Sequence, residues 1–238
     1  MTEPGWQNDL SRIRELLKEE LELHPALEGT DAAAPEPILA ATFLSFCALG
    51  AYETEPAIQG GLALELLERA VSSHYPEIFE RGVARTIPES IDIITGDFFY
   101  SRALIAVAKL NDSQVVRILA QAIASIAEAI SKPLTLEAIE RADTEGIIEL
   151  IDNVSALFRA AAELAAYLGR LSEQVASAVA LIARGLGGLY YLTEYARTRL
   201  PEHLAGEVRS HFLDRATKGK SELEAAGYSI DLDRLGAR

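Results

Sequence analysis

Cysteine is nearly absent from this sequence, since Cys47 is the only one among 238 residues. A single thiol excludes an internal disulfide and a cysteine-based zinc site. Cys47 lies within the apolar run 43–49, so we predict a buried thiol and not a nucleophile. The four histidines are dispersed along the chain and show no metal-ligand spacing: His24, His74, His203 and His211.

Positive charge is scarce as well. The chain has 22 lysines and arginines against 36 aspartates and glutamates, and its net charge is −14. No basic stripe offsets this field, so we expect neither nucleic acid nor an anionic lipid surface as a partner. The sequence also has no signal-peptide pattern and no run of about 20 apolar residues. These absences predict a cytoplasmic protein without a transmembrane segment.

Helix-forming residues dominate what remains. Apolar residues make up 49% of the chain, and runs of β-branched residues are short. This composition predicts an all-α fold, and we expect one helical domain over residues 1–238 because no low-complexity linker divides them. Gly185, Gly187 and Gly188 lie inside a helical pattern and not in a phosphate-binding loop, so they predict close helix–helix packing.

Apolar residues at three- and four-residue spacing mark the individual helices. The first is amphipathic and runs from Trp6 to Leu21. Further helices are predicted over about 37–49, 62–74, 90–110, 113–131 and 172–199. Another is predicted to start at Thr135, and 143–169 is predicted to continue helical. Residues 53–61, which include Gly60 and Gly61, are interpreted as a break between helices. The segment beyond Pro201 is interpreted as a polar tail with room for one or two short helices.

The run Gly96–Ala103 reads GDFFYSRA and resembles a helix of the trans-prenyl diphosphate synthases. That helix has the pattern GD, two apolar residues, two of any type, and then RA. Three further segments resemble the family in the same order, at 64–74, 155–161 and 185–191, and the match covers about residues 32–200. The resemblance implies a helical bundle of the isoprenoid-synthase type, truncated at the C-terminus because only about 40 residues follow the last motif.

Two aspartate-rich motifs give that family its chemistry. They hold Mg²⁺, which prefers oxygen ligands and stabilises the diphosphate as it leaves the allylic substrate. The first motif would begin here directly after His74, and the second would begin at Glu194. The residues at the aspartate positions are Tyr75, Pro76 and Phe79 in the first motif, and Glu194, Tyr195 and Thr198 in the second. The carboxylates that the resemblance requires are therefore largely missing.

Glutamates near these positions leave a weaker alternative. Glu77 and Glu80 are displaced by one residue from the family's spacing, which on a helix is a rotation of roughly 100°. Together with Glu194 they are the candidates for an unorthodox metal site. Without such a site we expect no resident metal or cofactor, and Mg²⁺ enters only if this alternative holds.

The basic residues that grip the second diphosphate in the family are missing too. Ala33, Ala34 and Glu36 stand where lysine and two arginines are expected, and Asn153 with Val154 replaces a later Lys-Thr pair. Together with the acidic motifs, three separate parts of one phosphate site have therefore been lost, while the segments that carry the resemblance remain recognisable.

Two further polar residues invite a catalytic role. For Asp97 we predict a helix-start or buried polar contact, because the resemblance places this position in a packing helix. For His74, at the end of an apolar helix face, we predict a histidine satisfied by structural contacts. Tyr190, Tyr191 and Tyr195 are predicted to pack in the core or at an interface, with the lining of a cavity as the alternative.

The resemblance and the losses together predict a non-catalytic or regulatory subunit-like homologue in isoprenoid biosynthesis. We expect a homodimer, or a heterodimer with a catalytic prenyl diphosphate synthase, formed through helices 90–110 and 113–131. The candidate interface residues are Phe98, Phe99, Arg102 and Ile105. The alternatives are an active polyprenyl diphosphate synthase with the unorthodox metal site, and a non-catalytic module that binds an isoprenoid ligand.

Overall fold

The helical periodicity recurs in the computed structural model, which describes residues 5–23, 36–75, 89–131, 144–200 and 202–235. Of residues 89–91, 194–199 and 234 it describes the backbone alone. Over these ranges the elements are α-helices and one short 3₁₀ helix, without a strand, which confirms the all-α prediction. In chain order they are α1 (Trp6–Glu22), α2 (Ile38–Cys47), α3 (Thr54–His74), α4 (Glu89–Ala108), α5 (Ser113–Ser131), α6 (Thr144–Val154), α7 (Ala156–Leu168), α8 (Glu173–Arg199), α9 (Glu202–Ala225) and the 3₁₀ helix Asp233–Leu235.

Helix α3 lies at the centre of the bundle and packs against α1, α2, α4 and α7. Residues 57–68 are all buried. The predicted break at 53–61 is wrong, because Gly60 and Gly61 lie inside α3. Both glycines allow a close approach: a Cβ at Gly61 would lie 2.6 Å from Cδ1 of Ile13, and one at Gly60 would lie 3.3 Å from the ring of Phe43. Tertiary packing therefore places glycines here despite their low helix propensity.

A buried carboxylate joins α3 to the start of α2. Helix α2 follows Pro37 and has no side-chain cap of its own, so its first amide groups need an acceptor from elsewhere. Ala40 N donates to Glu65 Oε1 at 2.9 Å. Burial nevertheless raises the pKa of Glu65 to about 7, even though the hydrogen bond from Ala40 acts in the opposite direction.

Helices α8 and α9 form the most extensive of the helix–helix contacts within the described residues. A Cβ at Gly185 would lie 2.6 Å from Ala216, and one at Gly188 would lie 2.1 Å from the ring of Phe212. The predicted role of Gly185 and Gly188 in helix packing is therefore confirmed. The prediction of short helices in the tail is wrong, because α9 has 24 residues and buries Phe212 against α8.

Helix ends follow their capping residues. Asp112 Oδ1 accepts from Gln114 N at 2.8 Å at the start of α5, and Ser172 Oγ accepts from Val175 N at 3.4 Å at the start of α8. The helix predicted over 143–169 is in fact two, because the regular hydrogen bonding stops at Ser155, which lies between α6 and α7. Ser155 is fully buried and faces Gly187 of α8.

Aromatic packing joins α7 to α8. The ring centroid of Phe158 lies 5.5 Å from that of Tyr190 and 6.3 Å from that of Tyr191. The prediction that these two tyrosines serve packing is confirmed. Cys47 is buried as well, which confirms the prediction of a buried thiol.

Two helical stretches are long and apolar enough to cross a membrane by length and composition: Ser113–Ser131 and Glu173–Thr193. About two thirds of the second stretch is buried inside the fold, as in the core helix of a soluble protein. Length and composition alone are weak evidence for a membrane span, and the cytoplasmic location stays a prediction.

Candidate functional site

A cavity of about 250 Å³ opens where α3 ends, between α4 and α5. It lies next to the position at which the first acidic motif would begin. Its lining residues are Ala70, Val71, His74 and Tyr75 from the end of α3, Asp97 and Tyr100 from α4, and Ile123, Ile126 and Ala127 from α5. Aliphatic side chains form most of the wall, and polar groups are confined to one histidine, one aspartate and two tyrosines.

The side chains of His74 and Asp97 contact each other at this cavity. His74 Nε2 lies 3.2 Å from Asp97 Oδ1. Gly96 provides the space for the imidazole ring, because a Cβ at this position would lie 2.5 Å from His74 Cδ2. The prediction of a satisfied histidine is confirmed. The prediction for Asp97 is wrong, since its side chain is 71% exposed and lies well inside α4, which begins at Glu89.

The donor set of the cavity does not fit Mg²⁺. This hard cation takes several oxygen ligands at short distance, whereas the lining offers one carboxylate, Asp97, that already contacts His74. Across the described ranges no group of three or more histidine, cysteine, aspartate or glutamate side chains is placed to hold a metal ion. The lining also includes no lysine or arginine, the side chains that bind phosphate oxygens best.

Most of the candidate motif residues cannot be compared with this geometry. Tyr75 lines the cavity, but Pro76, Glu77, Phe79 and Glu80 lie outside the described residues. The second set lies on the last turns of α8, where only the backbone is described: Glu194, Tyr195 and Thr198. Whether the glutamates meet in a metal site therefore stays a prediction.

The four candidate interface residues differ in their exposure. Phe99 is 3% exposed and packs inside the chain, with Phe98 against it at a centroid distance of 5.5 Å. Arg102 donates from Nη2 to Glu20 Oε1 of α1 at 2.7 Å, so it joins two helices of the same chain. Ile105 is 47% exposed and is the candidate that a partner can reach most readily.

Other residues on α4 form the exposed apolar surface that the sequence prediction did not single out. Ile93, Ile94 and Leu104 are 52%, 64% and 48% exposed. Together with Ile105 they define what we call the α4 face. The sequence signal for it was weak, because α4 is apolar nearly all round and periodicity does not separate its core side from its outer side.

Structural comparison decides the fold. The polyprenyl synthase from Caulobacter crescentus CB15, solved with calcium and isoprenyl diphosphate, matches with a TM-score of 0.73 at 19% identity, over 96% of this chain and 91% of that one. The decaprenyl diphosphate synthase from Rhodobacter capsulatus matches with a TM-score of 0.70 at 18% identity, over 90% of each chain. The chain has the isoprenoid-synthase fold. The fold that the resemblance implied is confirmed.

A third solved structure with the isoprenoid-synthase fold is a heteromeric enzyme. It is a deletion mutant of the mint heterotetrameric geranyl pyrophosphate synthase, solved in complex with ligands, and it matches with a TM-score of 0.62 at 15% identity. The match covers 93% of this chain and 99% of that chain. No protein-family model and no curated protein matches the sequence. Because one fold hosts many functions, the function has to be argued from the site.

Proposed function

We propose that this chain is a non-catalytic subunit with the isoprenoid-synthase fold that pairs with a catalytic trans-prenyl diphosphate synthase. The observation that carries the proposal is the wall of the cavity beside α3. It offers aliphatic side chains and a single carboxylate that is paired with His74. An allylic diphosphate needs metal ions or basic side chains to stabilise the charge on its leaving group. The lining of this cavity provides neither a set of ligands for such metal ions nor a lysine or arginine side chain.

The sequence supports the same conclusion. The first residue of the acidic motif is replaced by Tyr75, which lines the cavity. The basic positions of the family hold Ala33, Ala34 and Glu36. These changes remove both the metal ligands and the cations, so diphosphate chemistry would have to come from another chain.

The α4 face supports the pairing. Its aliphatic residues are about half exposed or more in this chain, and a cluster of exposed aliphatic side chains is typical of protein–protein contacts. Arg102, which is bound to Glu20, holds α4 against α1, so the face is presented on a fixed helix. Pairing is a known arrangement for this fold, because the mint geranyl pyrophosphate synthase is heterotetrameric.

Co-purification tests the proposal. The tagged chain would be co-expressed with a catalytic prenyl diphosphate synthase from the same genome, and the complex would be measured by size-exclusion chromatography with light scattering. The double variant L104D/I105D should abolish the complex, because it places two charges on the α4 face. L213D, at a residue of α9 that is 39% exposed, is the matched control and should leave the complex intact.

Two results would overturn the proposal. One is Mg²⁺-dependent release of diphosphate from an allylic substrate by the purified chain alone, which would favour the active alternative with the unorthodox site. The other is a catalytic synthase whose activity and product length are the same with and without this chain. If the chain instead forms a homodimer and L104D/I105D dissociates it, the α4 face is still the interface, but the partner is a second copy of this chain.

A non-catalytic isoprenoid-binding module is the second candidate, and the aliphatic cavity favours it. Ala127 and Ala70 line the wall, so A127F should fill part of the space. A prenyl alcohol that binds the wild-type chain saturably and binds A127F much more weakly would support this function. Equal binding to both would place the ligand elsewhere.

A further inference from the structure

Helices α6, α7, α8 and α9 meet around one buried carboxylate. Asp152 of α6 is 8% exposed. Arg184 of α8 donates from Nη2 to Asp152 Oδ2 at 2.5 Å. Arg215 of α9 donates from Nη1 to Oδ1 and Oδ2 at 2.7 and 2.9 Å. Arg159 of α7 donates from Nη1 to the backbone oxygen of Asp152. None of these residues lines the cavity.

The charges in this arginine cluster do not balance. Three guanidinium groups lie around a single carboxylate. Arg184 and Arg215 contact the carboxylate oxygens, whereas Arg159 contacts only the backbone oxygen of Asp152. Glu163 and Asp214 also act on the cluster, but both are exposed, so water screens their contribution. A concentration of positive charge is unusual in a chain whose net charge is −14.

A histidine adds no further charge near neutral pH. His211 Nε2 lies 2.9 Å from Arg215 Nη2. Burial, together with the charge of Arg215, lowers the pKa of His211 below its usual 6.5. Burial also lowers the pKa of Arg159; the charge of Asp152 opposes this change, and the charge of Arg184 acts in the same direction as burial. The guanidinium groups therefore repel one another in a setting where solvent only partly screens them.

One hydrogen-bond donor of the cluster remains unused. Nε of Arg184 is buried and has no hydrogen-bond partner within the part of the chain that the structure describes. The Arg184 side chain is 41% exposed, against 18% for Arg215. Arg184 therefore belongs both to the buried pair with Asp152 and to the surface that solvent reaches. An anion can approach the cluster from that side.

We propose that Arg159, Arg184 and Arg215 form a binding site for a phosphoryl group. Guanidinium groups are planar forks that bind phosphate oxygens in pairs. A dianion at this position would neutralise the positive charge that Asp152 leaves unpaired, and it would offer an acceptor to Arg184. The site stands on different helices from the cavity and does not depend on the proposed subunit function.

The test measures the melting temperature of the purified chain against increasing inorganic phosphate, with sodium chloride added to keep the ionic strength constant. Binding to the folded state raises the melting temperature saturably. R184Q should weaken the phosphate affinity by about tenfold or more, since charge-assisted hydrogen bonds are lost. R170Q is the matched control, because Arg170 pairs with Glu53 on the exposed surface, and it should bind as the wild type does.

A second variant keeps the test decisive if R184Q folds poorly. R184K retains the charge but loses the planar fork, so it should bind phosphate several times more weakly than the wild type. Binding to each folded variant is measured directly by the linewidth of the phosphate signal in ³¹P NMR. A melting temperature that rises no more with phosphate than with chloride would overturn the proposal. So would equal losses of affinity in R184Q and R170Q.

Two further ligands identify the source of the phosphoryl group. Inorganic diphosphate and a short alkyl phosphate would be titrated in the same way. Tighter binding of the alkyl phosphate than of inorganic phosphate points to a phosphate ester as the ligand, and equal or weaker binding points to the free ion. Either result supports the site, provided that R184Q also weakens the binding of that ligand.

Discussion

The buried Glu65 carboxyl should make the stability of this chain depend on pH. Burial raises its pKa from 4.5 to about 7. Among the charged side chains, Glu68 and Arg69 of the same helix act on it, in opposite directions. Between these two pH values the folded state holds a proton that the unfolded chain has released. The free energy of unfolding therefore falls as the pH rises from 4.5 to about 7, and this fall is complete above that range.

The size of the effect follows from the shift. A change of 2.5 pKa units from 4.5 to about 7 corresponds to about 3 kcal/mol, at about 1.4 kcal/mol per unit. With a urea m-value of about 3 kcal/mol/M, the midpoint of urea unfolding should fall by about 1 M across this range. The variant E65Q removes the titration and leaves a neutral acceptor beside Ala40, so the stability of E65Q relative to the wild type should rise with pH.

Urea unfolding followed by circular dichroism provides the assay, at several pH values from 4.5 to about 7. The measured quantity is the difference in unfolding free energy between E65Q and the wild type, because titrations elsewhere in the chain cancel in it. E128Q, at an exposed position of α5, is the matched control. A difference for E65Q that is flat, or that falls as the pH rises, would refute the reasoning.

Three further predictions concern packing. G188A should destabilise the chain by about 1–3 kcal/mol in urea unfolding, because its Cβ would overlap a ring of α9. G206A has open space around it, so it should be neutral or should stabilise the chain by about 0.5–1 kcal/mol. Burial raises the pKa of the Cys47 thiol well above its usual value, so a thiol reagent should label Cys47 only under conditions that unfold the chain, and rapid labelling of the native protein would contradict this. G96A should displace the His74 ring from its carboxylate partner, and unchanged imidazole NMR signals would show that the contact is not as tight as described.

Local signals were sufficient to predict several helices. The bounds of α5 match the prediction, since Asp112 caps its first turn and its apolar residues repeat at helical spacing. The predicted start of α8 at 172 also agrees, and there Ser172 Oγ accepts from Val175 N. In both cases the residues that define the element lie within a few positions of each other. Sequence periodicity and capping therefore contain the information directly.

Contacts between distant residues decided the parts that were wrong. Gly60 and Gly61 indicate a break by propensity, but their small size serves the contact between α3 and its neighbours α1 and α2. The helix beyond Pro201 has a polar composition. Its buried residues do recur at spacings of three and four, which is a signal that the interpretation as a tail overlooked: Val208, Phe212, Ala216, Gly219 and Leu223.

The candidate site shows the same division. The pair of His74 and Asp97 depends on the register of α3 against α4, which no single segment specifies. The arginine cluster joins Asp152 to Arg215, 63 residues away in sequence. Neither spacing nor composition brings such residues together. The sequence could show which ligands of the family motifs are missing, but it could not predict which side chains meet in the cavity or in the arginine cluster.

The residues that carry the family resemblance are largely explained by packing. In the run from 96 to 103, Gly96 makes room for His74, Arg102 binds Glu20 of α1, and Ala103 is 1% exposed in the core. The segment at 185–191 brings α8 against α9 through its glycines. These contacts hold the fold whether or not a diphosphate is bound. Similarity in such segments therefore argues for the isoprenoid-synthase fold, while the argument about catalysis rests on the motif positions after His74 and from Glu194 onward.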